Sequence, residues 1–279
     1  MTKIFKVKSE MLSYLNALRK RKSIGFVPTM GTLHSGHLSL IKTSKKECNI
    51  TICSIFINPI QFNNPQDFIS YPNNLESDLE KLKKINCDIV FIPSINEMYN
   101  KGEKAKEFNF GTLSSVMEGE FRPGHFNGMA TVVEKFFNII EPTKAFFGQK
   151  DLQQLQIVKK LVRQMNSRIK IQGMPTTREK NGLAKSSRNK KLSESAKNEA
   201  TIIYHSLSYC LNNKEKGISA LKSYINNQFK KQNNIKLEYA EIVDLNTMLP
   251  IKSWKEEQQN AICIAAYING VRLIDNIIL

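Results

Sequence analysis

Residues 24–42 read IGFVPTMGTLHSGHLSLIK. The first six form a short apolar run, the pattern of a strand buried on both faces. Gly31 then marks a tight turn, and a helix-period stretch follows over about 33–47. Strand, turn and helix in that order open a parallel α/β sheet. The unit recurs outward from there. Strand-like runs appear at 50–57 (ITICSIFI), 88–93 (DIVFIP), 144–148 (KAFFG) and 168–173 (RIKIQG). Helix-period stretches fall at about 74–86, 128–140 and 151–166, the last with Leu155, Val158, Val162 and Met165 on one face. The fold class is therefore α/β, a parallel sheet with helices on both faces. Such sheets bind ligands in the loops after their strands.

The pattern changes after about residue 176. Two helical stretches, roughly 193–212 and 215–231, lead into strand-like segments at 235–244, 260–268 and 271–278. Asn269-Gly270 between the last two is a two-residue hairpin signal. This predicts a smaller α+β C-terminal domain with an antiparallel sheet. The expected division is 1–176 and 177–279, with the loop 175–192 joining the two parts.

The chain has 279 residues, long enough to bury a core without disulfide or metal staples. It is 41% hydrophobic and 24% charged, which excludes a collagen, a mostly disordered chain and a membrane bundle. No run of about 18 uncharged apolar residues occurs, so no transmembrane helix is expected. The first 23 residues show neither an unbroken apolar core nor a small-residue cleavage site, and a cytoplasmic protein is expected. Five cysteines, widely spaced and without a CxxC, read as buried thiols in a reducing compartment. The formal charge of +16 suits an anionic partner: nucleic acid, a nucleotide or an acidic substrate. A lysine-rich solvated surface accounts for it equally well.

The residues after the strands carry the chemistry. His34 and His37 are three apart and share a face of the first helical turn. The helix start offers unpaired N–H groups and a positive dipole end to phosphate, and Gly36 leaves room for a planar base. A zinc site is not expected, because no HExxH or third-ligand pattern accompanies the pair. Asn58 and Gln61 sit past the second strand, where neutral amides suit a hydroxy-acid; Asn58-Pro59 is equally readable as a turn. Lys150, in Gly148–Asp151, is a natural phosphate cation, while Asp151 with Gln154 also has the spacing of a capping pair. Ser186, Ser187 and Arg188 offer two hydroxyls and a guanidinium to a departing pyrophosphate, or form a solvated linker. Val132, Val133, Phe136 and Phe137 read as core.

In order along the chain stand PTMGTLHSGH, SIFINPIQF (54–62), YPNNLESDLEKL (71–82), FIPSINEMY (91–99), RPGHFNGMATVVEKFFNIIEP (122–142), FFGQKDLQQL (146–155) and TREKNGLAKSSRNKKLS (177–193). YAEIVD and RLIDNI follow in the C-terminal part. This series resembles the pantoate–β-alanine ligases (pantothenate synthetases), within the nucleotidyltransferase superfamily that carries a His-x-Gly-His motif. The resemblance implies a Rossmann-like domain that binds nucleotide and pantoate, a smaller lid-like domain, and a homodimer. It implies that ATP adenylates the carboxylate of (R)-pantoate, and that the β-alanine amine then attacks the acyl-adenylate, giving pantothenate and AMP. Mg²⁺ is expected on the phosphates, and no resident metal site. By resemblance Met30, Gly31, Thr32, Leu33, His34, Ser35, Gly36 and His37 lie along ATP, with His37 the candidate proton donor. Gly148, Gln149, Lys150 and Asp151 also belong to ATP, as do Thr177, Lys185, Ser186, Ser187 and Arg188. His34, His37, Lys150, Ser186, Ser187 and Arg188 are the expected catalytic group. Gln61, Gln154 and Asn58 are assigned to the substrate. Lys185 and Thr177 depart from the family, which carries apolar residues there.

Two other classes compete. Another adenylyl-transferring member of the superfamily would lack NPxQF, GxKDxQQ and SSRN in this order. An RNA-binding protein would use the +16 charge, but no aromatic RNA-recognition motif occurs. The expected partners are small molecules, without nucleic acid or membrane.

Overall fold

The computed structural model describes residues 2–19, 21–255 and 258–279. Six strands form the large sheet: β1 (Lys3–Phe5), β2 (Ile24–Thr29), β3 (Ile50–Ile55), β4 (Ile89–Phe91), β5 (Lys144–Gly148) and β6 (Lys170–Met174). Their spatial order is β1-β4-β3-β2-β5-β6, and every pairing is parallel. From β2 the chain steps to β3 on one side, and β5 later takes the other side. The order thus reverses between β2 and β5, where a ligand crevice opens at the strands' carboxyl ends.

Successive side chains of a strand point to opposite faces, so each central strand feeds two cores. Phe26, Ile52, Ile89, Phe91 and Phe147 pack with helices Lys8–Arg19, His125–Ile140 and Leu152–Gln164. Val27, Cys53, Val90 and Phe146 pack with helices Ser35–Glu47 and Leu75–Lys84 on the other face. Burial on both faces is why these strands are unbroken apolar runs rather than alternating ones.

A second sheet of β7 (Ile235–Asp244), β8 (Asn260–Ile268) and β9 (Val271–Ile278) is antiparallel, in the order β7-β8-β9. Asn269 and Gly270 both adopt left-handed backbone, φ 47° and 79°, as the tight hairpin requires. One face of this sheet, through Ile262, Ile264 and Leu273, packs on helices Thr201–Asn212 and Ile218–Lys230. From the other face Ala261 and Cys263 join the core of the large sheet.

Two elements escape the sequence pattern. β1 is a three-residue edge strand beside β4, with Lys3 and Ile4 exposed. The helix Lys8–Arg19 buries only Met11 and Leu15 fully, too narrow a stripe to read as an amphipathic period. The stretch expected as one helix over 193–212 is two, Glu194–Glu199 and Thr201–Asn212. Thr201 Oγ1 donates to the Asn198 carbonyl at 2.6 Å at this break, a side-chain bond that competes with the helical ladder. The five cysteines are unpaired, and four of them are buried. No helix among the described residues is long and apolar enough to cross a membrane.

Candidate active site

A buried carboxylate shapes the turn after β2. Asp78 is 1% exposed and accepts from the amides of Thr32 at 2.6 Å and Leu33 at 2.7 Å. Gly31 and Thr32 are both left-handed, and a Cβ on Gly31 would lie 3.1 Å from Asp78 Oδ2. Lys81 donates to the Leu33 carbonyl at 2.9 Å and stands 3.7 Å from Asp78. This divides the stretch expected along the nucleotide. Met30, His34, Gly36 and His37 line a cleft at the switch point, whereas Gly31, Thr32, Leu33 and Ser35 do not. Two of their amides turn inward to Asp78 instead.

The two histidines occupy the start of helix Ser35–Glu47 with their rings in contact, centroids 4.0 Å apart and planes inclined by 30°. His34 Nδ1 accepts from the Gly36 amide at 3.2 Å, and His37 Nδ1 accepts from the His34 amide at 3.3 Å. Each ring therefore caps the helix with Nδ1 and, when neutral, carries its proton on Nε2. Burial, with Lys150 and Lys185 nearby, pulls the His34 pKa down to about 4. Burial, then His34 and Lys150, hold His37 well below the usual imidazole range. At pH 7 both are neutral N–H donors rather than imidazolium acids. A Cβ on Gly36 would sit 2.9 Å from the His34 ring, so the glycine is needed by its neighbour before any base arrives.

The loop after β3 is built from behind. Asn58, 1% exposed, donates from Nδ2 to Gln61 Oε1 and to the Gly128 carbonyl, each at 3.1 Å. Tyr99 Oη donates to Asn58 Oδ1 at 2.8 Å. Both amide hydrogens of Asn58 are thus used within the protein. It lines the cleft, and one of its amide hydrogens orients Gln61 beside it. His125 holds the Gln61 carbonyl at 2.9 Å through Nδ1. Gln61 and Gln154 both face the cleft, above an apolar floor of Met129, Val132, Val133 and Phe136. These last three belong to the core as expected, yet they are also the wall of the site. Phe137 is core alone.

The remaining walls carry the cations. Lys150 and Asp151 follow β5, 3.5 Å apart, and both line the cleft with Gly148; Gln149 does not. Asp151 makes no capping bond, so the expected Asp151–Gln154 cap is absent and both side chains face the cleft. Opposite them, Ser186 Oγ accepts from the Arg188 amide at 3.2 Å and opens the short turn Ser187–Lys191. Ser187 Oγ lies 3.3 Å from Tyr71 Oη, and Arg188 pairs with Asp67 at 3.1 Å. Lys185 pairs with Glu179 at 2.6 Å, while its amide donates to the Thr177 carbonyl at 2.9 Å. Thr177 Oγ1 lies 3.4 Å from Ser39 Oγ, beside the histidine helix. Arg122, His125 and Tyr71 also line the cleft. They stand inside motifs visible in the sequence, but nothing in their spacing marks them as facing the cleft.

The comparisons with known proteins agree with this geometry. A pantoate-beta-alanine ligase family model matches residues 3–278. The pantothenate synthetase of Cytophaga hutchinsonii is 47% identical over 272 residues, 94% of this chain and 93% of the relative. That of Christiangramia forsetii is 46% identical over 281 residues, 99% of each chain. The crystal structure of the Thermus thermophilus pantothenate synthetase superposes with a TM-score of 0.91 at 34% identity, covering 99% of this chain and 98% of that one. The Francisella tularensis pantoate-beta-alanine ligase, solved with beta-gamma ATP and beta-alanine, gives 0.83 at 37% identity, covering 100% and 98%. With the match running from the first strand to the last, the chain belongs to the pantoate–β-alanine ligase family.

Proposed function

We propose that this ligase, which condenses pantoate with β-alanine using ATP, works through a pantoyl-adenylate held in the cleft between β2 and β5. The observation that carries the reading is the pairing of two neutral imidazole donors with two side-chain amides over an apolar floor. The gem-dimethyl group of pantoate fits Met129, Val132, Val133 and Phe136, and its hydroxyls and carboxylate fit Gln61 and Gln154. ATP lies with its phosphates between the histidine helix, Lys150 and the Ser186–Arg188 turn.

A pantoate carboxylate oxygen attacks the α-phosphorus in line, and the bond to pyrophosphate breaks with its electron pair on the leaving group. His34 and His37 donate Nε2–H bonds to phosphate oxygens as charge shifts. Lys150 and Arg188 exchange their carboxylate partners, Asp151 and Asp67, for the triphosphate. The β-alanine amine then attacks the acyl carbon, the C–O bond to AMP breaks, and the amine proton is released. Among the described residues no group of three or more His, Cys, Asp or Glu forms a metal site, and Asp151 is the one carboxylate lining the cleft. That set fits Mg²⁺ carried on the phosphates with Asp151 and water, where the ion would neutralise charge on the leaving pyrophosphate. Residues 177–279 act as the lid of the 1–176 unit, and the protein works as a cytoplasmic homodimer.

The test is isotope exchange. Pantoate alone should support exchange of labelled pyrophosphate into ATP, and the full reaction should release AMP. Exchange that strictly requires β-alanine would remove the discrete adenylate. Release of ADP would overturn the reading.

A further inference from the structure

We propose that Asp275 and Asn276, consecutive residues of β9, are positioning residues that hold the two phosphate-binding arms of the cleft in register. The inference rests on the reading above that Lys150 and the Ser186–Arg188 turn take the triphosphate. Consecutive strand residues point to opposite faces of a sheet. Asn276 pairs across the hairpin with Cys263, on the face turned to the large sheet; Asp275 pairs with Ile264, on the face turned to the C-terminal helices. One dipeptide therefore reaches both arms.

On the first face, Asn276 Nδ2 donates to the Gln149 carbonyl at 2.9 Å and to the Lys150 carbonyl at 2.8 Å. Asn276 is 3% exposed, so these bonds are sheltered from water. They clamp the short turn Gln149–Asp151, which presents Lys150 and Asp151 to the cleft. The clamp needs two hydrogens on one nitrogen at this chain length. Aspartate has none to give, and serine has one. On the second face, Asp275 is 5% exposed and takes a two-pronged bond from Arg178, at 2.5 and 3.1 Å. Arg178 also donates to the Gly182 carbonyl at 3.1 Å and lies 4.7 Å from the centre of the Tyr204 ring. Its backbone bridges to Ala184, directly before Lys185 and Ser186. Gly182 is left-handed, φ 92°, and a Cβ there would strike the Tyr204 ring at 2.0 Å. The segment leading into the Ser186–Arg188 turn is thus pinned to Asp275.

The experiment uses the full chain. Hydrogen exchange of ligand-free Asn276→Ala should quicken in peptides spanning 148–156 and stay unchanged in 30–41. Asp275→Asn should quicken 176–188 instead. Calorimetry should show ATP affinity falling by about tenfold or more in each variant, with pantoate affinity within about threefold. Asn276→Ser, with one donor, should fall between wild type and Asn276→Ala. Unchanged exchange in 148–156 overturns the proposal, whether or not the protein binds ATP. So does an equal loss of ATP and pantoate affinity, which marks a general defect of folding. Wild-type protein that binds neither ligand would instead count against the proposed function, and the exchange data still decide the clamp.

Discussion

His34 and His37 each spend Nδ1 on a backbone amide, which leaves Nε2 as the working atom. Both are held neutral by burial first and neighbouring cations second. In the proposed mechanism they donate hydrogen bonds to phosphate oxygens. Removing either donor by His34→Ala or His37→Ala should cost about 10²–10³ in kcat, or roughly 2.7–4 kcal/mol of transition-state stabilisation. Each substitution also removes a helix cap, so melting should shift by only a few degrees, in line with about 1 kcal/mol. Steady-state rates and a thermal melt on each variant check both numbers. Near-normal turnover in either one would reduce that histidine to a cap. Lys185 also lines the cleft, with its ammonium on Glu179 at 2.6 Å, as Lys150 and Arg188 have carboxylate partners of their own.

At the scale of elements, the helix His125–Ile140 lies against the turn Pro59–Gln61 at a distance only glycine permits. A Cβ on Gly128 would sit 2.5 Å from the Ile60 carbonyl oxygen and 2.8 Å from Gln61 Cα. Alanine in a helix normally stabilises by about 1 kcal/mol relative to glycine. Here the clash reverses the sign, and Gly128→Ala should destabilise by about 1–3 kcal/mol, as overpacking does. The turn that moves carries Gln61, so KM for pantoate should rise about tenfold while KM for ATP changes little. Urea denaturation and kinetics in both substrates measure this. An unchanged pantoate KM would show that the turn adapts without moving Gln61.

Across the whole molecule, a buried ion cluster ties the second sheet to the helix Glu118–Phe121. Glu118 takes bonds from Arg272 at 2.9 and 2.7 Å and from Tyr239 at 2.8 Å, while Arg272 also bonds Glu238. Burial alone would raise the Glu118 carboxyl, but the hydrogen bonds and charge of Arg272, then Arg122, outweigh it and hold the pKa at about 2. A carboxylate with a depressed folded pKa contributes stability above its unfolded value and loses it as pH falls through the folded one. His125, lowered to about 4 by burial and then Arg122, acts over a higher window. The unfolded histidine takes up a proton first, so stability falls as pH drops from about 6.5 to 4. Urea unfolding should therefore weaken from pH 6.5 downward, first through His125 together with His34 and His37, whose imidazoles burial also lowers, and then, below about 4.5, through Glu118, which contributes on the order of 3 kcal/mol. Glu118→Gln should flatten the lower part of the curve and leave the upper part. The same slope in both proteins below pH 4.5 would assign the acid loss elsewhere.

The strands β2 to β5, the hairpin at Asn269-Gly270 and the helices between them were legible in the sequence, because double burial and turn chemistry are local properties of composition and spacing. So were the histidines, Lys150 and Ser186–Arg188, which sit where the chain leaves a strand or a turn. The motif order alone marked the family. The tertiary structure decided which of those residues face the cleft and which serve the fold. Asn58 binds the Gln61 side chain and the Gly128 carbonyl, Gly36 makes room for a histidine ring, and the amides after Gly31 belong to Asp78, 46 residues from Thr32. The cleft floor of Val132, Val133 and Phe136 looks like any other core in sequence. These outcomes depend on partners distant in the chain, brought together by packing, and a side chain's chemistry does not reveal whether its partner will be a substrate or the protein itself.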